Sequence, residues 1–212
     1  MHLSGKVAVV TGVTSEIGRA TALRLASEGA AVAVTGHTPS KLDAVIADLR
    51  KVGAKFHAGA LDLSQPQVVD EFFAEVARIL GPVDILVNTA AWRVRQPFLE
   101  TTYADWRRTF EVCVEAKGAV HALAKAMAVD LAPHGITVNV VAPGVVETQY
   151  VRANLTPAQI QKRLERIPAG RLASPDDCAA AVAHLAAPDM GYLTGQIVYV
   201  DGGFLSAGVL AR

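Results

Sequence analysis

Short β-branched runs alternate with longer helical patterns along the whole chain. The runs are Val7–Thr11, Ala31–Thr35, Lys55–Ala60, Val83–Asn88, Thr137–Ala142 and Ile197–Val200, each nearly continuously apolar rather than strictly alternating. A strand reads that way when helices cover both faces of its sheet. Apolar residues at helical spacing fill the intervals Ile17–Glu28, Ser40–Val52, Gln65–Leu80, Tyr103–Ala132 and Pro175–Ala186. The alternation predicts βαβ units on a parallel sheet. Between Thr148 and Pro168 the pattern weakens into an insert that reads as mobile, where Thr156 followed by Pro157 opens a short helix. No repeat, linker or low-complexity stretch breaks the series, so residues 1–212 read as one domain.

Composition narrows the function classes. With 51% hydrophobic and 19% charged residues, the chain has the means to bury a core, and disorder is excluded. Twenty basic residues are balanced by 20 acidic ones, which leaves no electrostatic footprint for nucleic acid or an anionic membrane. Cys113 and Cys178 lie too far apart in sequence for a disulfide framework or a zinc site and point to a reducing compartment. There is no secretory pattern at Met1, and no apolar run reaches the roughly 18 residues of a membrane span. The expectation is a soluble cytoplasmic protein without nucleic-acid, membrane or metal partners.

The first strand ends in Thr11-Gly12-Val13-Thr14-Ser15-Glu16-Ile17-Gly18 and runs straight into a helix. Gly12 and Gly18 allow a sharp turn and close helix–strand packing, and the helix start offers N–H groups and a positive dipole end to a pyrophosphate. Thr14 and Ser15 add hydroxyl donors. A glycine turn that binds nothing has the same local pattern, and its place after the first strand favours the binding reading.

Thr-Gly-x-x-x-x-Ile-Gly resembles the cofactor loop of short-chain dehydrogenases/reductases, whose third glycine falls where Glu16 stands. A carboxylate at a helix start is tolerated there if it points outward. Further motifs of that family follow in order. Asp62-Leu63 resembles the adenine-contacting pair, and Asn88-Thr89-Ala90-Ala91 a drifted Asn-Asn-Ala-Gly motif. Pro143-Gly144-Val145-Val146-Glu147-Thr148 resembles the segment that holds the nicotinamide carboxamide. Tyr192–Gln196 and Val200–Gly203 resemble the family's last strand region. The resemblance implies an α/β Rossmann-type doubly wound parallel sheet and NADP or NAD as cofactor. The cofactor-binding positions it assigns are Gly12, Thr14, Ser15, Ile17, Gly18, His37, Asp62, Leu63, Asn88, Ala90, Pro143, Gly144, Val146 and Thr148. At the second strand end, Gly36 cannot bond a ribose 2′-hydroxyl as an acid would, and His37 stands where an arginine often binds a 2′-phosphate. That favours NADP over NAD; an exposed His37 with no ligand is the alternative.

The family's proton transfer rests on a Tyr-x-x-x-Lys pair, a Ser from the preceding strand region and an Asn on the helix before it. Read forward, Trp106–Val112 resembles the start of the Asn-bearing helix and puts the Asn at 113. Read backward, Ala116–Val120 resembles the segment after the Tyr and puts the Tyr at 113 as well. Both templates meet on Cys113, and Lys117 takes the catalytic lysine's place. The resemblance therefore implies an internal deletion of the Ser- and Tyr-bearing segment, on the order of one βα unit of thirty-odd residues. The flanking helices fuse into Tyr103–Ala132, and strand Val83–Asn88 crosses directly to Thr137–Ala142, so the sheet lacks one central strand–helix unit. Cys113 reads as a small buried residue and Lys117 either as a ribose ligand or as a solvated helix lysine. Tyr150 is the nearest substitute acid and Tyr103 a poorer one.

Two functions stay open at this stage. One is an oxidoreductase on an alcohol/carbonyl pair with impaired proton transfer. The other is a non-catalytic dinucleotide-binding protein, a sensor or partner subunit. Loss of the strand can also impair cofactor binding itself. The resemblance implies a homo-oligomer, although the family's two interface helices are merged here and the apolar run Phe204–Leu210 offers a different surface.

Overall fold

The computed structural model describes residues 2–89 and 116–207, with the side chains of residues 116–119 outside that description. These residues fall into two compact units. The first takes in Met1–Ala90, Val141–Pro188 and Tyr199–Arg212, and the second Ala91–Val140 and Asp189–Val198.

In the first unit β1 (Val7–Thr11), β2 (Ala31–Gly36), β3 (Phe56–Ala60) and β4 (Ile85–Asn88) form a sheet in the order β3-β2-β1-β4. Every pairing in it is parallel. Helices α1 (Glu16–Ser27), α2 (Pro39–Lys51) and α3 (Pro66–Ile79) supply the crossovers. The continuous apolar strands have the expected cause. Ala8, Val10, Val32 and Val34 join Leu25 of α1 and Leu42, Val45 and Leu49 of α2 in one buried cluster. Val7, Val9 and Ala33 join Phe72 and Val76 of α3 in a second. Residues alternating along β1 thus meet different layers, and the sheet is covered on both faces. Burying one leucine such as Leu25 contributes about 2 kcal/mol. At the foot of the sheet Asp84 accepts from Lys6 Nζ at 2.9 Å and from the Val7 N–H at 2.8 Å, fixing the start of β4 beside β1. The lysine, and after it the Val7 N–H, hold its carboxyl below the ordinary range despite some desolvation.

The second unit holds α4, described over Ala116–Leu131, and a short 3-10 turn, Ala132–His134, closed by Gly135 in the left-handed region at φ 72°. The Val138 N–H donates to the Thr194 hydroxyl at 3.0 Å. The Asn139 amide spans the Leu193 carbonyl at 2.7 Å and the Gln196 N–H at 3.0 Å. Beside one backbone bond, from the Gly195 N–H to Val138 O at 2.8 Å, these side-chain bonds occupy the front of the expected strand, and β5 covers Val140–Pro143 rather than Thr137–Ala142. It pairs with β6 (Ile197–Val200). Val140 N–H donates to Gln196 O and Gly144 N–H to Val200 O, four residues on in each strand, so the pair is parallel.

Among the described residues β4 pairs only with β1, and β5 only with β6. The fused helix itself can be followed only from Ala116; Tyr103–Glu115 lies outside the described residues. The weakly patterned insert holds the short helix expected after Thr156 and a second helix before it. It folds as α5 (Gln149–Asn154) and α6 (Pro157–Leu164), because each has a threonine N-cap. Thr156 forms a full capping box with Gln159. Helix α7 (Pro175–Leu185) follows and packs on α1.

Candidate functional site

The strand registers align Thr35 and Asn88 beside Thr11, and Ala60 beside Gly36. The segments after all four strands therefore leave one carboxyl edge of the sheet. Strand order reverses between β1 and β4, and in open α/β sheets the ligand crevice lies at such a switch point. Gly12, Thr14, Ser15, Ile17, Gly18, His37, Asp62, Leu63 and Asn88 all lie along this edge.

The loop after β1 is tightly built. Gly12 has φ 71°, a conformation that favours glycine. Ser15 caps α1: its Oγ accepts from the Gly18 N–H at 3.1 Å and donates to the Gly12 carbonyl at 2.9 Å. A Cβ on Gly18 would lie 2.6 Å from both Gly12 O and Thr89 Oγ1, so only glycine fits. The N–H groups of the first turn of α1 beyond the Ser15 cap have no intrahelical acceptor and remain for an anion. Thr11 Oγ1 donates to Asn88 Oδ1 at 2.5 Å, and Thr89 Oγ1 donates to the Thr11 carbonyl at 2.5 Å. Thr89, a residue the motif alone does not mark as functional, ties the end of β4 to the loop.

At the end of β2, Gly36 has a cause the sequence did not reveal. A Cβ there would stand 2.5 Å from Thr14 Cγ2. A side chain at position 36 would need the Thr14 side chain to move, so the packing of Thr14 on β2 accounts for a glycine there. His37 is exposed, its Nδ1 3.1 Å from Thr38 Oγ1. Asp62 accepts from the Ser64 N–H at 2.9 Å and the Ser64 hydroxyl at 2.7 Å. These bonds, with a smaller contribution from His37, hold its carboxyl below the ordinary range. Leu63 is exposed.

The other motif segment follows β5. A Cβ on Gly144 would lie 2.9 Å from Asp201 Cα, so close packing explains that glycine. Val146 is 7% exposed and bridges Ala173, flanked by Glu147 N–H donating to Ala173 O at 2.7 Å and Ala173 N–H to Val145 O at 3.0 Å. Thr148 is the N-cap of α5, accepting from the Val151 N–H at 3.4 Å, and Pro143 and Gly144 are exposed. Glu16 joins this segment to the loop, since its carboxylate accepts from the Gln149 N–H and from Arg152 Nη2 at 2.9 Å. The expectation that Glu16 turns outward is met, but toward α5 rather than water. Tyr150 is 44% exposed in the first turn of α5. Ala90 and Cys113 lie outside the described residues, and Lys117 is described only as a backbone position of α4.

Among the described residues no group of three or more His, Cys, Asp or Glu side chains is placed to hold a metal, and no helix is long and apolar enough to cross a membrane. Cys178 is buried in α7, and burial, helped by Asp177, pushes its thiol up to about 11, which leaves it chemically quiet.

The short chain dehydrogenase family model matches residues 6–116, more than half of the chain. The chain belongs to the short-chain dehydrogenase family. A second model of that group, described as enoyl-(acyl carrier protein) reductase, matches residues 112–205, so one match hands over to the other at 112–116. A 3-oxoacyl-[acyl-carrier-protein] reductase of Aquifex aeolicus is 30% identical, over 96% of this chain and 98% of that protein. The alignment runs over 245 positions but takes in only 96% of 212 residues, so about 40 positions of the relative face no residue of this chain. Among solved short-chain dehydrogenases, a 7α-hydroxysteroid dehydrogenase complexed with NADH and 7-oxo glycochenodeoxycholic acid superposes with a TM-score of 0.87 at 29% identity, covering 95% of this chain and 94% of that one. A putative 2-deoxy-D-gluconate 3-dehydrogenase of Agrobacterium tumefaciens with bound NADP gives 0.83 at 28% identity, covering 96% and 98%. The α/β fold is the family's Rossmann-type parallel sheet with helices.

Proposed function

We propose that this chain binds NADP or NAD at the β1–α1 loop and acts on an alcohol/carbonyl pair, with its proton-transfer apparatus cut back. The observation that carries the reading is the steric closure of the loop: Gly18 admits no Cβ, and the Ser15 cap leaves the helix start directed at the switch point of the sheet. A cradle in which backbone approaches backbone this closely suits a pyrophosphate. The nicotinamide cofactor supplies or accepts the hydride. For its part the chain binds and orients. Gly12, Thr14, Ser15, Ile17 and Gly18 would hold the pyrophosphate end, Asp62 and Leu63 the adenine, and Asn88 and Ala90 the middle. Pro143, Gly144, Val146 and Thr148 would hold the carboxamide end, and Lys117 the nicotinamide ribose. His37 at the adenosine end favours NADP, since Gly36 offers no carboxylate to a ribose 2′-hydroxyl and the exposed imidazole is free to meet a 2′-phosphate.

The deletion belongs to the same proposal. About 40 relative positions without a counterpart amount to roughly one strand and one helix, and the handover at 112–116 is where the two templates meet on Cys113. A thiol there is neither a phenol nor an amide, so proton transfer falls to water or to a side chain such as Tyr150. In this reading residues 1–212 work as one dinucleotide-binding domain, and the protein is a cytoplasmic homo-oligomer.

The test is NADPH oxidation against mixed ketones, beside Lys117→Ala. Slow turnover that falls further in the variant supports the oxidoreductase reading. Cofactor binding with no turnover of any ketone favours the second reading, a non-catalytic sensor or partner subunit, for which the lost segment is the specific argument.

A further inference from the structure

Glu16 and Arg152 are 136 positions apart in sequence, yet they form the contact that joins the cofactor loop to α5. Both carboxylate oxygens of Glu16 are engaged, one by Arg152 Nη2 at 2.9 Å and the other by the Gln149 N–H. The same guanidinium donates to the Glu147 carbonyl at 3.1 Å and stands 3.9 Å from the Glu147 carboxylate. Arg152 and Glu16 side chains are 52% and 37% exposed, so the ion pair adds little to stability. What it does is fix where one negative charge lies. Glu16 is the first residue of α1, immediately before Ile17, and its carboxylate would otherwise be drawn by the helix dipole toward the same N–H groups that attract a phosphate.

We propose that Arg152 is a positioning residue for cofactor binding: by engaging Glu16 it keeps that carboxylate away from the phosphate-binding start of α1 and fixes α5 beside the loop. The inference rests on reading the Thr11–Gly18 loop as the dinucleotide cradle. It makes Arg152 necessary only because Glu16 is present, and that dependence separates it from an arginine that binds phosphate itself.

The test is calorimetric titration of NADPH and NADH into the wild-type chain and the variants Arg152→Ala, Arg152→Lys, Glu16→Ala and Glu16→Ala/Arg152→Ala, with amide hydrogen exchange at Gln149. Arg152→Ala is expected to weaken binding about fivefold, the order set by one partly screened like charge near the site. Arg152→Lys should keep most of the affinity, and the double variant should return to within about twofold of wild type. Glu16→Ala should speed exchange at Gln149 with no dinucleotide present. A loss in Arg152→Ala that persists in the double variant overturns the inference, as does unchanged Gln149 exchange in Glu16→Ala. Wild-type binding with no loss in Arg152→Ala overturns the inference and leaves the cradle reading intact. Wild-type protein that binds neither dinucleotide overturns both.

Discussion

Strands β1 and β2 and strands β5 and β6 are made of the same residue types, valine above all, but they end in different surroundings. All five residues of Val7–Thr11 are buried, as are the last five of Ala31–Gly36. No residue of Val140–Pro143 or Ile197–Val200 is. The difference lies in the neighbours. β1 has a ladder on each edge and a helix layer on each face, whereas β5 and β6 pair only with each other among the described residues. Apolar composition therefore predicts that a segment is extended, while its depth is set by what the rest of the chain supplies. The loop that closes on Gly18 grows from the deep strands, and the Pro143–Thr148 segment from the shallow ones. One half of the proposed cofactor site has a buried base, and the other depends on contacts such as Glu16 with α5.

The contrast can be broken by substitution. The largest effect should come from Gly18→Val, whose side chain meets the Gly12 carbonyl and Thr89. Moving backbone to admit it should cost about 3 kcal/mol or more, read by urea unfolding, and should abolish dinucleotide binding. Leu25→Ala, in the cluster beneath β1 and β2, is expected to cost about 3 kcal/mol. Val198→Ala in half-buried β6 should cost less, about 1 kcal/mol or under. Equal losses at these two positions would show that the strand pairs do not differ in depth.

A smaller effect concerns α7, which braces α1 behind the loop. Asp177 accepts from Arg171 at 2.6 and 2.9 Å and from the N–H of Ser174, the N-cap of α7, at 2.7 Å, and the arginine, then the Ser174 N–H, lower its carboxyl well below the ordinary range. Asp177→Asn should cost about 1 kcal/mol at neutral pH. A carboxyl with a depressed folded pKa stabilises above its unfolded value and ceases to as the pH falls through the folded one. The gap between variant and wild type should therefore close in acid, below about pH 4. A gap that widens in acid would contradict the assignment. Smallest in energy, Cys178 should resist maleimide at pH 8 in the folded protein and react once unfolded, followed by peptide mass.

Strands β1 to β4 and helices α1 to α3 were legible to within one or two residues because covered faces leave continuous apolar runs, while the start of β5 moved by three. Where boundaries moved, side-chain bonds share the pairing ahead of the strand with a single backbone bond. Asp84 takes the Val7 N–H ahead of β4, and Thr194 and Asn139 hold the chain ahead of β5. Those partners lie 54 to 77 positions apart, and no local pattern records them. Thr156 announced its helix because a capping box is local, whereas Thr148 looked only like a cofactor residue. The motifs marked the loop and the Pro143–Thr148 segment, but not the steric reason for Gly36 or the contact between Glu16 and Arg152. Packing and long-range pairing decide those.

Thermal unfolding of the intact chain across a titration of NADPH, repeated with NADH, tests the cradle most directly. At a hundred times the dissociation constant a bound dinucleotide should add about 2.7 kcal/mol and raise the midpoint, with the larger shift for NADPH, and Gly18→Val should lose the response. A midpoint that moves with neither dinucleotide would contradict the account.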